Sequence, residues 1–385
     1  MFPLFPRRLA ATLSLAVVAT AVTSCGLQPS QPPRAPGALA FVVGGRNNMP
    51  KPELPSSLDK LVTDAIRSGD SVYVVGVSGH PTLVFEKSMA RASSECDTQS
   101  ACDAVVTDFR RTIKRKIAET RASTAEADTL AAIAEAARQL AGSSTPKQLV
   151  VIDNGLQTAG EMSLLSDRAL FTPPEELALA LWSGNRLERR LKGVEITWVG
   201  LGAVAAPQQR PDQRPRDNLE ALWTKVLTTA GASVRFVGGV QDGPPAHQGM
   251  PPVTPVPVKD TVIEPAGCVK IPDDQVGFIP GRAEFRDLEL ARSVLEPLAK
   301  ALIAGKRAAE IIGYVALPEQ PEPGRLSLRR AVAVKNFLVS LGVPQRLLSV
   351  QGAGTPPEYP VPPVTPKPTE LQQYRRVEVH VAGVC

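Results

Sequence analysis

The sequence predicts an α/β domain with a doubly wound, mostly parallel sheet, followed by a smaller α+β domain. Short, unbroken apolar runs alternate with helical patterns over residues 38–240, as expected of strands that are covered on both faces. A second set of strand and helix patterns fills residues 267–385. Residues 241–266 are rich in proline, which favours an extended spacer, and we therefore interpret them as a linker between the two domains.

The start of the chain has the features of an export signal. Arg7 and Arg8 precede an apolar run over residues 9–22 that is too short for an ordinary membrane span. Val22-Thr23-Ser24-Cys25 resembles a lipobox, which implies cleavage after residue 24 and acylation (palmitate) of Cys25. The alternative is a plain signal peptide with a chance cysteine. We expect a lipoprotein signal peptide at 1–24, a proline-rich tether at 25–37, and an exported, membrane-anchored protein of the cell envelope.

The remaining cysteines are even in number, which favours disulfides in an oxidising compartment. Cys96 and Cys102 flank a short polar loop, while Cys268 and Cys385 lie near the two ends of the second domain. Three pairings are possible, and we favour Cys96–Cys102 with Cys268–Cys385. A metal site is the alternative, but the sequence has no Cys-x-x-Cys pair and its three histidines are scattered.

Charge and composition argue against a nucleic-acid partner. The formal net charge is only +5, from 43 basic and 38 acidic residues, and aromatic residues make up 4% of the chain. Nucleic-acid binding sites combine a basic surface with aromatic side chains on which bases stack, and this chain has few aromatic residues. The basic run at residues 110–116 lies on the predicted helix 103–120 and fits a solvated helix face. Attraction to anionic lipid or wall polymer is the alternative interpretation.

The first domain shows alternating strand and helix patterns, apart from one hairpin and one pair of consecutive helices. The predicted strands are residues 39–43, 71–77, 149–152, 194–199 and 233–237. The predicted helices are residues 58–68, 103–120, 129–140, 175–191 and 218–230. Residues 81–85 are expected to form the returning arm of a hairpin after the second strand.

This order resembles a von Willebrand factor A-type domain. That family's metal site needs Asp-x-Ser-x-Ser after the first strand, a threonine before a central helix and an aspartate after the next strand. Thr129 and Asp153 match the last two positions, but Gly44-Gly45-Arg46-Asn47-Asn48 offers no carboxylate or hydroxyl at the first. A divalent cation would also meet the positive charge of Arg46. We therefore expect no working metal site, and Thr129 and Asp153 fit ordinary helix-start and turn residues.

The second domain has a pattern of four strands and two helices. We expect strands near residues 275–279, 310–315, 347–352 and 376–381. A helix is predicted over residues 287–303, and another starts at a Ser327 cap and stops at Gly342. Residues 355–369 are rich in proline and should form a surface excursion before the last strand.

Four motifs in this domain resemble the OmpA-like C-terminal domain, which ties bacterial envelope proteins to peptidoglycan. They are Leu326-Ser327-x-x-Arg330-Ala331, Leu338-x-x-x-Gly342-Val343, Gln351-Gly352-x-Gly354 and Arg375-Arg376-Val377-Glu378-Val379. The resemblance covers about a hundred residues in the family's order. It implies a βαβαβ-β sandwich and peptidoglycan as a partner.

The resemblance also implies candidate binding residues. In the family, a carboxylate at the end of the second strand takes the ammonium of diaminopimelate, and the motif arginine takes its carboxylate, an arrangement that suits a zwitterion. Arg330 is present, but the strand here ends Gly313-Tyr314-Val315-Ala316, without a carboxylate. Glu319 or Glu322 would have to supply the anion, or else they are solvated loop charges. The candidate binding residues are Arg330, Tyr314, Ala316 and Arg376.

No motif in the sequence indicates an enzyme or a cofactor. Gly76-Val77-Ser78-Gly79-His80 follows a strand, but its second glycine comes one position too early for a nucleophile elbow. We therefore expect a non-catalytic, lipid-anchored protein that links membrane to peptidoglycan, with an N-terminal platform for an unknown envelope protein. The second hypothesis is an envelope scaffold whose OmpA-like domain has lost peptidoglycan and binds only proteins. The third is a metal-dependent adhesion module.

Overall fold

The structure is a computed structural model, and it describes residues 37–88, 98–143, 147–183, 191–238, 242–245, 247–259, 268–316, 323–361 and 364–382. Two sheets organise these residues. The first sheet has six strands in the order β3-β2-β1-β4-β5-β6, and the second has four in the order β7-β10-β8-β9. Each sheet has its own helices and its own apolar core.

Five strands of the first sheet run parallel, and the edge strand β3 pairs antiparallel with β2, as predicted for a hairpin. The strands are β1 (Ala38–Val43), β2 (Ser71–Gly76), β3 (Thr82–Ser88), β4 (Lys147–Ile152), β5 (Val194–Val199) and β6 (Ser233–Val237). The helices are α1 (Asp59–Arg67), α2 (Gln99–Glu119), α3 (Thr129–Leu140), α4 (Pro174–Ser183) and α5 (Gln213–Thr229).

The central strand β1 shows why its sequence is apolar at every position. Ala38, Ala40 and Val42 belong to the core that includes α3, α4 and α5. The alternating residues Leu39 and Phe41 belong to the core that includes α1 and α2. Side chains alternate between the faces of a strand, so a strand with helices on both faces needs apolar residues throughout.

Part of the proline-rich segment between the domains packs against the first domain. Val253, Val256 and Val258 are buried. Gln208 accepts a hydrogen bond from the Val256 backbone N–H at 2.8 Å and donates one to its carbonyl at 3.0 Å. The segment is extended as its prolines predict, but residues 251–259 are attached to the surface of the first domain.

The second sheet has two helices packed on one face. Its strands are β7 (Val269–Pro272), β8 (Ala309–Tyr314), β9 (Leu348–Gly354) and β10 (Arg376–Val381). Strand β10 runs antiparallel to β7 and β8, and β8 is parallel to β9. The helices are the one-turn α6 (Asp273–Val276), α7 (Leu288–Gly305) and α8 (Pro323–Ser340). The last two cover the core formed by residues such as Leu295, Leu338 and Val379.

The first strand of this domain lies earlier than the sequence predicted. We expected it at residues 275–279, whereas Val269–Pro272 pairs with β10 and Asp273–Val276 forms α6. The two aspartates favour the start of a helix, and Gly277 ends it with φ 71°. Phe278 makes an isolated bridge to Phe285 instead of joining the sheet.

Ser327 is not the cap of α8, because the helix begins one turn earlier at Pro323, a residue that suits the first helical turn. The hydroxyl of Ser327 donates to the Gly324 carbonyl at 3.0 Å and accepts from the Gly354 N–H at 3.1 Å. It therefore links the start of α8 to the end of β9.

Within the described part of the chain, none of the helices combines the length and the hydropathy that a membrane span requires.

Candidate functional site

Arg330 is buried in the first half of α8, with 4% of its surface exposed. Its Nε donates to the Arg282 carbonyl at 3.0 Å, and its Nη1 lies 3.1 Å from Oδ1 of Asp273. The guanidinium also lies 5.0 Å from the centroid of the Phe278 ring. The arginine is thus oriented by a carbonyl and an aromatic ring and faces a carboxylate, the arrangement in which a guanidinium binds an anion well.

The carboxylate partner comes from α6. The backbone N–H of Asp273 donates to the Arg375 carbonyl at 2.9 Å, which fixes α6 against the residue that precedes β10. Asp273 is buried, and its side chain and that of Arg330 are both less than a tenth exposed. The sequence indicated no carboxylate at the end of β8, and the carboxylate that pairs with Arg330 comes from α6.

Tyr314 and Arg376 lie opposite each other on β8 and β10. The Arg376 guanidinium is 4.8 Å from the Tyr314 ring centroid and is paired with Glu378 at 2.7 Å and Glu358 at 2.6 Å. Burial opposes the charge of Arg376, but the two carboxylates outweigh it and raise its pKa. Burial, assisted by the charge of Glu378, raises the pKa of the Tyr314 hydroxyl. The cation is therefore already neutralised within the protein.

The candidate residues form two groups rather than one. Among the described residues, the hydrogen bonds and ion pairs of Arg330 go to Arg282 and Asp273, and none goes to Tyr314 or Arg376. Ala316 is buried just beyond the end of β8. Glu319 and Glu322, the loop residues considered as a source of the anion, lie outside the described residues. Arg330 with Asp273 is the group with carboxylate-binding chemistry.

The residue next to Asp273 contacts the first domain. Asp274 pairs with Arg168, whose Nε donates at 3.1 Å, and with Arg214, whose Nη2 lies 3.3 Å from Oδ2 and 2.6 Å from the Asp274 carbonyl. Burial raises the pKa of the Asp274 carboxyl, and the two arginines offset this only in part. Arg168 also lies 4.0 Å from the Phe171 ring centroid. Sequence patterns gave no indication of this contact.

Two further contacts join the domains through the segment that precedes β10. The Arg375 guanidinium forms an ion pair with Glu176 of α4, and both side chains are largely buried. The Thr369 hydroxyl donates to the Ser163 carbonyl at 2.5 Å. Thr369 belongs to the proline-rich stretch predicted as a surface excursion, so the end of that stretch packs on the first domain instead of facing solvent.

A cavity of about 220 Å³ lies between the domains beside α6. Asp273, Asp274 and Gln372 line it together with Arg214 of the first domain. The amide oxygen of Gln372 is buried and has no hydrogen-bond partner among the described residues. The space beside α6 is therefore polar and large enough for water.

The first domain carries a second buried polar group at the carboxyl ends of β1 and β4. The Arg46 guanidinium pairs with both carboxylate oxygens of Asp153 and donates to Asn154 at 2.6 Å. Thr129 donates to Oδ1 of Asp153 at 3.1 Å. Thr129 and Asp153 do meet, as the resemblance implied, but a guanidinium engages the carboxylate that a metal ion would need. Among the described residues, no cluster of histidine, cysteine, aspartate and glutamate could hold a metal.

Glycines allow the loop that carries Arg46 to lie this close. A Cβ on Gly44 would be 2.1 Å from Oδ2 of Asp153, and one on Gly45 would be 1.9 Å from the Thr120 carbonyl oxygen. Any side chain at these positions would push the loop off the end of the sheet. The lack of side chains at the two glycines thus allows the loop to bury Arg46.

The structure describes some, but not all, of the cysteines that the sequence predicts to be modified. Cys25, Cys96 and Cys385 lie outside the described residues. Cys102 and Cys268 are each disulfide-bonded. The pairing Cys96–Cys102 and Cys268–Cys385 stays a prediction, as does lipidation of Cys25.

The sequence patterns indicated Arg330 but neither aspartate of α6, nor Arg168 and Arg214 of the first domain. The signal available was the pair of adjacent acids in Pro272-Asp273-Asp274-Gln275, which suggests a helix start. Which arginines those acids meet depends on how the two domains dock, and no local pattern encodes that.

No protein-family model and no characterised protein matches the sequence. Solved structures similar to the chain include the periplasmic domain of MotB from Helicobacter pylori, with 18% identity over 30% of this chain and 74% of that one, and a TM-score of 0.25. The peptidoglycan-associated lipoprotein of Burkholderia pseudomallei is similar at 22% identity over 29% of this chain and 88% of that one, with a TM-score of 0.24. The OmpA-like domain of FopA1 from Francisella tularensis subsp. tularensis SCHU S4 is similar at 14% identity over 30% of this chain and 73% of that one, with a TM-score of 0.23. These likenesses concern about 30% of the chain.

Proposed function

We propose that the chain is a non-catalytic cell-envelope protein whose second domain associates with peptidoglycan. Lipid on Cys25 would hold it to a membrane, and the first domain would serve as a platform for an envelope protein. The observation that supports association with peptidoglycan most directly is the environment of Arg330. Its guanidinium is buried and lies 3.1 Å from the carboxylate of Asp273. A carboxylate of the diaminopimelate stem peptide has the same chemistry as the Asp273 side chain.

The packing of α8 supports a positioning role for this end of the domain. A Cβ on Gly313 would lie 2.0 Å from the Ser327 carbonyl oxygen, and one on Gly352 would lie 2.5 Å from the Leu328 backbone nitrogen. The first turns of α8 therefore press directly on β8 and β9. Arg330 follows on the next turn, so its backbone is rigidly placed, as a side chain that recognises a ligand requires.

Co-sedimentation of the full chain with purified peptidoglycan sacculi tests this function. Wild type should sediment with sacculi, and free meso-diaminopimelate in excess should release it by competing for Arg330. Arg330→Ala should abolish the binding. Arg330→Lys keeps the charge and is the better folded variant, but it should also bind weakly because an ammonium cannot hold a carboxylate in a fork. Arg329→Ala is the matched control, since Arg329 is exposed on the same helix.

A protein-only scaffold is the second candidate, and one observation favours it. Arg330 is almost fully buried and already paired, and no carboxylate is available at Ala316 for the ligand's ammonium. If neither wild type nor any variant sediments with sacculi, the second domain serves protein partners alone. Sedimentation that survives Arg330→Lys and excess diaminopimelate would place wall binding on another surface.

The lipid anchor needs its own test. Cys25→Ser should move the protein out of the membrane fraction or leave an uncleaved precursor, because the acyl chains would have no attachment point. Unchanged membrane partition and unchanged mobility on a gel would contradict the anchor.

A further inference from the structure

The two adjacent aspartates of α6 face opposite partners. Asp273 pairs with Arg330 inside the second domain, and Asp274 pairs with Arg168 and Arg214 of the first domain. Helix α6 is a single turn between Pro272 and Gly277, so neither aspartate can move far without the other. The position of Asp273 is thereby coupled to the contact between the domains.

Arg375 is a second link between Asp273 and the first domain. Its carbonyl accepts the Asp273 N–H at 2.9 Å, while its guanidinium pairs with Glu176 of the first domain. We call the pairs Arg168–Asp274, Arg214–Asp274 and Glu176–Arg375 the interdomain clamp. Asp273 is covalently joined to Asp274 and hydrogen-bonded to the Arg375 backbone. The clamp attaches Asp274 and Arg375 to the first domain.

Asp273 takes the place on Arg330 that a ligand carboxylate would need. Arg330 is 4% exposed, and its guanidinium also contacts the Arg282 carbonyl and the Phe278 ring. An incoming carboxylate therefore has to displace Asp273. While α6 is clamped, this displacement would separate two buried charges and leave Asp273 without a partner, which is unfavourable.

We propose that Asp273 is an internal competitor for the Arg330 site and that the interdomain clamp keeps it there, so that docking of the domains closes the site and undocking opens it. This inference rests on the proposed association with peptidoglycan, whose regulation it describes. Linkage makes the effect reciprocal: whatever carboxylate binds Arg330 must weaken the docking of the two domains by the same factor. A partner that occupies the docking surface of the first domain would have the same effect as a broken clamp.

The test uses the full chain and two readouts, sacculus co-sedimentation and hydrogen exchange of the interface residues 163–176 and 368–376. Asp274→Asn and Glu176→Gln each remove one charge of the clamp with little change in shape. Both should raise exchange at the interface and strengthen sacculus binding on the order of tenfold, within the usual range of such couplings. The control is Glu296→Gln, which removes an exposed ion pair with Lys300 on α7 and should change neither readout.

Asp273→Asn separates the two halves of the proposal. It removes the competing carboxylate and leaves the clamp in place, so it should strengthen binding without raising exchange at residues 163–176. Addition of Arg330→Lys to any strengthened variant should remove the gain, which shows that the gain depends on the guanidinium fork.

Three outcomes would overturn the proposal. Clamp variants that raise exchange but bind sacculi no better than a binding wild type would show that docking does not close the site, and the proposed function would stand. Clamp variants that leave exchange unchanged would show that these pairs do not hold the domains. If no variant binds sacculi, including Asp273→Asn, the association with peptidoglycan itself fails, and this inference fails with it.

Discussion

Arg46 in the first domain and Arg330 in the second are buried arginines, each paired with a carboxylate supplied by a different segment of the chain. A buried cation is tolerated only with an anion and hydrogen-bond acceptors around it. Among the described residues, the partners of the Arg46 guanidinium are Asp153, Asn154 and Asn48, whereas those of Arg330 are one carboxylate and one carbonyl. Arg46 is thus the more fully satisfied, and the residue with fewer internal acceptors is the better candidate for an exchangeable ligand.

Removal of the Arg46 guanidinium should destabilise the first domain strongly. Arg46→Ala leaves the Asp153 carboxylate buried without its cation, so the free energy of unfolding should fall by about 3–5 kcal/mol. Urea unfolding followed by circular dichroism measures this. Lys60→Ala is the control, because the exposed Lys60–Asp64 pair is screened by solvent and should contribute little. Equal effects of the two substitutions would show that the Arg46–Asp153 pair does not stabilise the domain.

Glu378 should make the second domain sensitive to acid. Burial disfavours its ionised form, but hydrogen bonds with His380 and Arg376 outweigh burial and lower its pKa, with a smaller contribution from Lys270. A lowered pKa in the folded state means that the stabilisation is present above the unfolded value of about 4.3 and is lost as pH falls through the folded value. Wild type should therefore exceed Glu378→Gln in unfolding free energy at pH 7, and the difference should shrink below pH about 4.

The matched control for the acid effect is Glu53→Gln, a substitution at an exposed position of the first domain. It should leave the pH dependence of unfolding unchanged. A difference between wild type and Glu378→Gln that is constant from pH 7 to pH 3 would contradict the assignment.

At the scale of elements, the parts predicted well are those with a strong local pattern. The strands of the first sheet and the helices around it follow from apolar runs and 3.6-residue periodicity, and their ends differ by a few residues where caps were missed. Thr98, for example, caps α2 by accepting from the Ala101 N–H, which starts the helix before the predicted residue 103. The first strand of the second domain was misplaced because Val276 and Phe278 are apolar for core packing outside a sheet.

The candidate site was predicted only in part, for a related reason. Arg330 was found from a motif, but its partner Asp273 lies on a one-turn helix whose last two residues the pattern assigned to a strand. The pairing of Asp274 with Arg168 joins residues of different domains. Contacts of this kind are set by docking of preformed surfaces, and neither periodicity nor composition contains them.

The contact between α8 and the second sheet should tolerate no side chain at Gly313. Gly313→Ala places a methyl 2.0 Å from the Ser327 carbonyl oxygen, so α8 has to move off β8. We expect a loss of about 1–3 kcal/mol in unfolding free energy from this overpacking. Gly324→Ala on the same helix is the control, because no described atom outside the adjoining helix backbone lies within 4 Å of the added methyl there. It should be neutral or slightly stabilising, since alanine favours helix over glycine.

The two glycine substitutions are compared by thermal and urea unfolding of the full chain. Similar stabilities of the two variants would show that α8 does not press on β8 in the way described.

For the whole molecule, the docked arrangement combines separate apolar cores in the two domains with a polar contact between the domains. The described interface contains buried ion pairs, a hydrogen bond from Thr369 and a cavity of about 220 Å³. Interfaces of this polar kind resemble transient protein–protein contacts, in which the domains keep the ability to separate. Under the proposed clamp, the chain would hold its second domain on the first and release it when a competing ligand or partner is present.

The docking contact should also decide how the chain unfolds. Buried ion pairs across the clamp couple the domains, so wild type should unfold in calorimetry as one transition or as two that overlap closely. The double variant Glu176→Gln/Asp274→Asn removes one carboxylate of the clamp from each domain. The unfolding transitions of the two domains should then separate. Neither domain core is altered, so the higher of the two transition temperatures should stay near that of the wild type. Glu296→Gln should leave the calorimetric profile unchanged, since its ion pair with Lys300 lies within α7. Two widely separated transitions in wild type would show instead that the domains unfold independently and that the clamp contributes little coupling.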